Sequence, residues 1–161
     1  MRLKLIFGLF MISAFWGAGL SAQAVRHISL EVGGVGGFGA LSYEREVLKK
    51  GAFRMDLRFG CSFVPVDANN GSALIFPVLA HGLIGNGQHQ LDLGIGQALT
   101  VTTKGSLFVL MPASIGYRFS PGEGKVDGCR LYLRPAYTPL ISYLLDFQWQ
   151  HWAGLTIGLR I

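Results

Sequence analysis

Charge is scarce in this chain. Asp, Glu, Lys and Arg together make up 14% of 161 residues, against about a quarter in an average soluble domain. Long apolar runs are missing too, once the first 24 residues are passed. Half of the residues are hydrophobic, yet no later segment approaches the roughly 20 unbroken apolar residues of a spanning helix. Cysteine is limited to Cys61 and Cys129, too few for a disulfide-dense scaffold. His81, His89 and His151 fall on separate predicted elements, without the spacing of a metal site. These shortages exclude a helical membrane protein and leave no sequence motif for a bound metal or cofactor.

The apolar run that does exist is N-terminal. Arg2 and Lys4 precede an apolar core from Leu5 to Leu20, and Ala22-Gln23-Ala24 supplies a small-x-small site. This is the layout of a secretory signal peptide, expected to be cleaved after Ala24. Residues 25–161 then form a single mature domain. Removing Arg2 and Lys4, and no acid, lowers the net charge from +5 to +3, too little to argue for nucleic acid.

The mature part is rich in glycine and in period-two alternation. In the last stretch, Ala153, Leu155, Ile157, Leu159 and Ile161 share one face of an extended strand, and Trp152, Gly154, Thr156, Gly158 and Arg160 share the other. The same pattern runs through 27–33, 38–45, 52–63, 90–101, 107–119 and 129–141, whereas 74–84 is apolar throughout and its facing is ambiguous, with Phe76, Val78 and Ala80 favoured outward and His81 inward. Eight strands, many of them near the 9–11 residues that cross a bilayer at a tilt, predict an all-β, eight-stranded antiparallel up-and-down transmembrane barrel. Both chain ends fall on the periplasmic side, and the loops at 64–73, 102–106 and 142–150 lie outside. Pro77, Pro112, Pro135 and Pro139 interrupt predicted strands and are expected at bulges or near the rims.

Alternation alone does not distinguish a membrane barrel from a soluble lipocalin-like barrel that binds a hydrophobic ligand. Two features favour the membrane. Glycines 33, 60, 94, 96, 116, 154 and 158 sit on the polar face, where small residues suit a crowded interior. The apolar rows hold more bulk than an eight-stranded interior accommodates. The polar face then places Arg54, Arg58, Arg118, Arg130, Arg134 and Arg160 in the lumen with Glu31, Glu44, Asp56 and Asp92. Charges in so narrow a space are expected to pair into a network that holds the wall together. Cys61 and Cys129 fall on opposite walls facing outward, too far apart to bridge.

From Tyr43-Glu44-Arg45 onward the chain resembles a family of small, uncharacterised outer-membrane β-barrel proteins of the Bacteroidetes. The matching pieces are Ser42-Tyr43-Glu44-Arg45, Leu91-Asp92-Leu93-Gly94-Ile95-Gly96, Ile115-Gly116-Tyr117-Arg118-Phe119, Tyr137-Thr138-Pro139-Leu140-Ile141 and the closing Gly-Leu-x-Ile-Gly. The resemblance implies an eight-stranded outer-membrane barrel with no established activity, and strands that carry internal prolines. The chain ends in Ile161 rather than the aromatic residue usual in proteobacterial barrels, which bears only on the outer-membrane assembly machinery that would read it.

Three further motifs have competing readings. Gly34-Val35-Gly36-Gly37-Phe38-Gly39 matches a dinucleotide-binding fingerprint, but no βα unit follows it, and a tight reversal is the simpler reading. His27, Ser29 and Glu31 share a strand face, an arrangement similar to that of lipid A deacylases, yet Leu30 follows the serine and the group points inward at the periplasmic end. Tyr143, Phe147 and Trp149 enrich the last loop in aromatics, suited to a protein partner or to the headgroup belt. The function expected is a non-enzymatic barrel, in contact with membrane lipid and without a cofactor, having a structural or interaction role. A narrow channel or secretion component, and a lipid-modifying enzyme, are the alternatives.

Overall fold

The computed structural model describes residues 25–67, 71–121, 130–142 and 148–161. The predicted signal segment at 1–24, Cys129, Tyr143 and Phe147 lie outside these residues. Eight strands form: β1 (Arg26–Gly33), β2 (Ala40–Lys50), β3 (Phe53–Asp67), β4 (Gly71–Ile84), β5 (His89–Thr102), β6 (Leu107–Phe119), β7 (Leu131–Ser142) and β8 (Gln148–Arg160). Each pairs antiparallel with the next, and β8 returns to β1, so the sheet closes. This is the expected eight-stranded barrel. Most strands are longer than the sequence suggests. β3 and β4 consume most of the predicted 64–73 loop, and β8 begins early enough to take Trp149 out of the predicted external loop.

The registers fix the tilt. A line drawn perpendicular to the strands from Arg26 passes Arg45, Leu57, Ala80, Ile95, Ala113, Pro139 and His151. It meets the chain again at Gly36, ten residues along. That stagger inclines eight strands by about 40° to the barrel axis. A strand of β6 length then stands about 30 Å tall.

Alternation sorts the side chains as period two requires. On β5, Leu91, Leu93, Ile95 and Leu99 are exposed outward while Asp92, Ala98 and Thr100 are buried inward. On β8, Leu155, Ile157 and Leu159 face out and Thr156 faces in. β4, apolar throughout, resolves with Phe76 outward and Leu79, His81 and Leu83 buried. Cys61 is exposed and unpaired.

The prolines do not sit where expected. The irregularities in register fall between Glu46 and Leu48 and between Pro65 and Asp67, away from Pro77, Pro112, Pro135 and Pro139. Pro77 lies within β4, where pairing with β3 lapses opposite Gly60 and resumes in the same register. Pro112 does the same opposite Gly96. Pro135 and Pro139 keep their pairing to β8 while the β6 side lapses opposite Tyr117 and Ala113. A missing N–H therefore costs one rung without shifting the strand. At Pro77, which points inward, the glycine opposite makes room: a Cβ on Gly60 would lie 2.8 Å from Pro77 Cγ.

The predicted reversal at Gly34–Gly37 is also different. Gly34–Gly36 forms one short 3₁₀ turn that enters the lumen from the loop end and packs against β3, β4, β7 and β8. Val35 at its tip is 3% exposed. It joins Leu79, Ala98 and Leu140 in a small apolar cluster, with Ile75, Leu110 and Trp152 around it. Glycine is required here: Gly33, Gly34 and Gly37 all have positive φ, and a Cβ on Gly34 would fall 2.0 Å from a Glu31 carboxylate oxygen. The hydroxyl of Ser62 lies 2.5 Å from Gly36 O and 2.6 Å from Gly39 O and ties the turn to β3.

Candidate functional site: the packed lumen

The lumen is apolar toward the loop end and charged toward the chain termini. The charged part is built from strands that each contribute alternate residues, so partners distant in sequence meet across the bore. Glu31 on β1 accepts from Arg58 Nη2 on β3 at 2.5 Å. Glu44 on β2 is the most connected acid. Its Oε1 accepts from Tyr132 OH (2.5 Å) and Ser29 Oγ (3.1 Å). Its Oε2 stands 3.4 Å from Arg118 Nη1. The same Arg118 nitrogen reaches Asp56 Oδ2 at 3.2 Å. Arg118 also lies flat on Tyr132, its Cζ 3.6 Å from the ring centroid.

A second cluster occupies the wall made by β4, β5, β7 and β8. His81 Nδ1 is 2.6 Å from Asp92 Oδ1. Arg134 Nη1 is 3.2 Å from Asp92 Oδ2, and its Nη2 donates to Thr156 Oγ1 at 3.2 Å. Nearer the terminus-end mouth, Arg54 Nε lies 3.4 Å from Asp56 Oδ1 and 3.8 Å from Glu46 Oε2, while its Nη2 donates to Gln90.

Eight of the ten charged residues placed in the lumen by sequence therefore meet there: Glu31, Glu44, Arg54, Asp56, Arg58, Asp92, Arg118 and Arg134. Arg130 and Arg160 do not. Both are exposed. Arg130 precedes β7, and Arg160 is the last residue of β8, so water at the mouth solvates them and no buried partner is needed. Sequence reasoning also missed Glu46, which lies just past the strand predicted at 38–45 but continues the inward row of β2 with its side chain 14% exposed. The described lumen holds five carboxylates against four guanidinium groups.

Burial is what makes this network matter. Arg58, Arg118 and Arg134 are each 2% exposed or less, and an isolated buried ion is costly unless paired. Glycines paired directly across the strand from the bulky side chains provide the space. A Cβ on Gly158 would overlap the Tyr132 ring at 2.0 Å, and one on Gly94 would lie 2.8 Å from His81 Cε1. The His27–Ser29 pair does not form a nucleophile and its base. Ser29 donates to Glu44 instead, and His27 stands edge-on to Tyr132 with ring centroids 5.4 Å apart.

The outer wall is the counterpart of the lumen. Two histidine–tyrosine pairs mark it: His89 with Tyr117 on β5 and β6, and His151 with Tyr137 on β8 and β7. Trp149, expected in a loop, lies exposed on β8 with its ring tilted against His151 at 6.0 Å between centroids.

The chain is thus a closed eight-stranded antiparallel β-barrel with an apolar outer wall and a charged, filled interior. It is similar in fold to Ail, the attachment invasion locus protein of Yersinia pestis, with a TM-score of 0.51 and 13% identity over 86% of this chain and 97% of that one. No family model matches the sequence, and no curated protein matches it.

Proposed function

We propose that this chain is a non-enzymatic integral barrel of the outer membrane, exported with cleavage after Ala24, whose role is structural or one of contact through its loop end. The observation that carries this reading is the inversion of polarity across the wall. Leu30, Leu93, Ile95, Ile115, Ile157 and their row neighbours are exposed, while arginines and carboxylates are buried. Water around such a wall would leave an apolar surface far larger than the patches soluble monomers tolerate. Lipid removes that cost, and strands about 30 Å tall at this tilt cover the roughly 25 Å apolar band of an outer-membrane barrel. The resemblance to small barrels of the Bacteroidetes supports the same compartment.

A filled bore supports a role outside the lumen. Val35 seats in the loop-end mouth, and paired charges fill the centre, so transport has no path through the described residues. Ser29, engaged by Glu44, gives no support to lipid modification. The charged interior does not suit a hydrophobic ligand of the lipocalin kind. The Yersinia neighbour is named for attachment and invasion, and a contact role at the loop end, including Tyr143, Phe147 and Trp149, is the finer form of the proposal.

The test is a detergent gel of the outer-membrane fraction, run with and without boiling. A closed barrel stays folded in cold detergent and migrates faster than its boiled form. A single band in both lanes, with the protein recovered from the soluble periplasm, would reject the membrane reading.

A further inference from the structure

The terminus-end part of the lumen brings three metal-ligating side chains together. His27 on β1, Glu44 on β2 and Asp56 on β3 are all buried, and one potential ligand atom from each lies within 4.8 Å of the others. His27 is 7% exposed, and its Nδ1 is buried without a hydrogen-bond partner. Asp56 Oδ1 is likewise buried and accepts no hydrogen bond. Five buried or half-buried carboxylates face four arginines in the described lumen, a surplus of one negative charge that burial makes costly to leave uncompensated.

We propose that His27, Glu44 and Asp56 bind one divalent cation of the zinc class. One imidazole and two carboxylates are a mixed nitrogen and oxygen set of the kind zinc accepts, with water completing the tetrahedron. Arg118 Nη1 bridges Glu44 Oε2 and Asp56 Oδ2, so the cation shares these two carboxylates with that guanidinium. Arg54, which stands 3.4 Å from Asp56 Oδ1, has Glu46 and Gln90 as alternative partners when the cation takes its place. A cavity of about 200 Å³ at the same mouth, lined by Lys49, Phe53, Arg54, Asn86 and Gln90, gives water and ions access to Arg54. The three ligands come from three strands separated by turns, so no spacing in the sequence announces them.

The experiment uses the full chain purified from membranes without a histidine tag, stripped with chelator and then equilibrated with zinc chloride. One zinc per barrel is expected in the native protein and in a His89→Gln/His151→Gln control, whose changed histidines lie on the outer wall. His27→Gln and Asp56→Asn, each checked for a folded band on an unboiled gel, should weaken zinc binding at least tenfold. Cobalt chloride should give the native protein a visible absorption band that His27→Gln lacks. Absence of stoichiometric zinc and of the cobalt band in the native protein overturns the proposal. Equal zinc in native and His27→Gln protein overturns it as well, since the metal would then sit elsewhere.

Discussion

Replacing Gly158 by alanine should cost the barrel far more stability than an ordinary one-methyl change. The new Cβ would lie 2.0 Å from Tyr132 Cε1 and 2.3 Å from Cζ, so the ring must retreat by about 1 Å or more to reach ordinary contact. Tyr132 is not free to do so. It is 1% exposed, its hydroxyl donates to Glu44 at 2.5 Å, and Arg118 rests on its face. Overpacking a filled interior costs about 1–3 kcal/mol. A hydrogen bond to a carboxylate is worth about 1.5–3 kcal/mol, and a desolvated cation–π contact about 2 kcal/mol. The ring shift weakens these contacts together rather than removing each in turn, so about 3 kcal/mol in total is expected. Urea titration of the reconstituted barrel, read by tryptophan fluorescence and by the folded band on unboiled gels, measures it. The decisive comparison is Gly158→Ala in a Tyr132→Ala background, where the methyl group meets no ring and should be almost neutral. A penalty below about 0.5 kcal/mol in the native background, or the same penalty with and without Tyr132, would refute the packing argument.

Ile95, 59% exposed at the middle of β5, reports on what surrounds the wall. Ile95→Arg should destabilise the barrel by about 2–4 kcal/mol in bilayers, whereas a water-facing site would register about 0.5 kcal/mol or less in the same urea titration. Reconstituted in a planar bilayer, the native barrel should give no ion-conducting steps, because Val35 and the arginine–carboxylate pairs fill the bore; stable open-channel currents would refute that.

Period two made the fold legible. Wherever one face carried Leu, Ile or Phe and the other Gly, Ser or charge, as at Leu91–Val101 and Ala153–Ile161, both the strand and its facing could be read, and closure followed from the even count. The lumen was legible as a set of inward charges but not as a geometry. Registers decide that Arg58 meets Glu31 while Arg118 bridges Glu44 and Asp56, and a register depends on strand ends, which turn residues mark poorly. The same weakness misplaced Arg130 and Arg160, which lie where the sheet has already given way to water, and put Trp149 in a loop. The glycine run after β1 looked like any tight reversal, since nothing local tells whether such a turn leans outward or folds into the bore. His27, Glu44 and Asp56 converge only because three strands lie side by side.

The turn that carries Val35 joins β1 to β2, and β1 is also the strand that β8 must find to complete the sheet. Gly33 pairs with Gly154 across that seam, and the turn begins at the next residue, packed against β8. Closing the sheet and stopping its mouth therefore draw on the same few residues, so a change at Gly33 or Gly154 would disturb both at once.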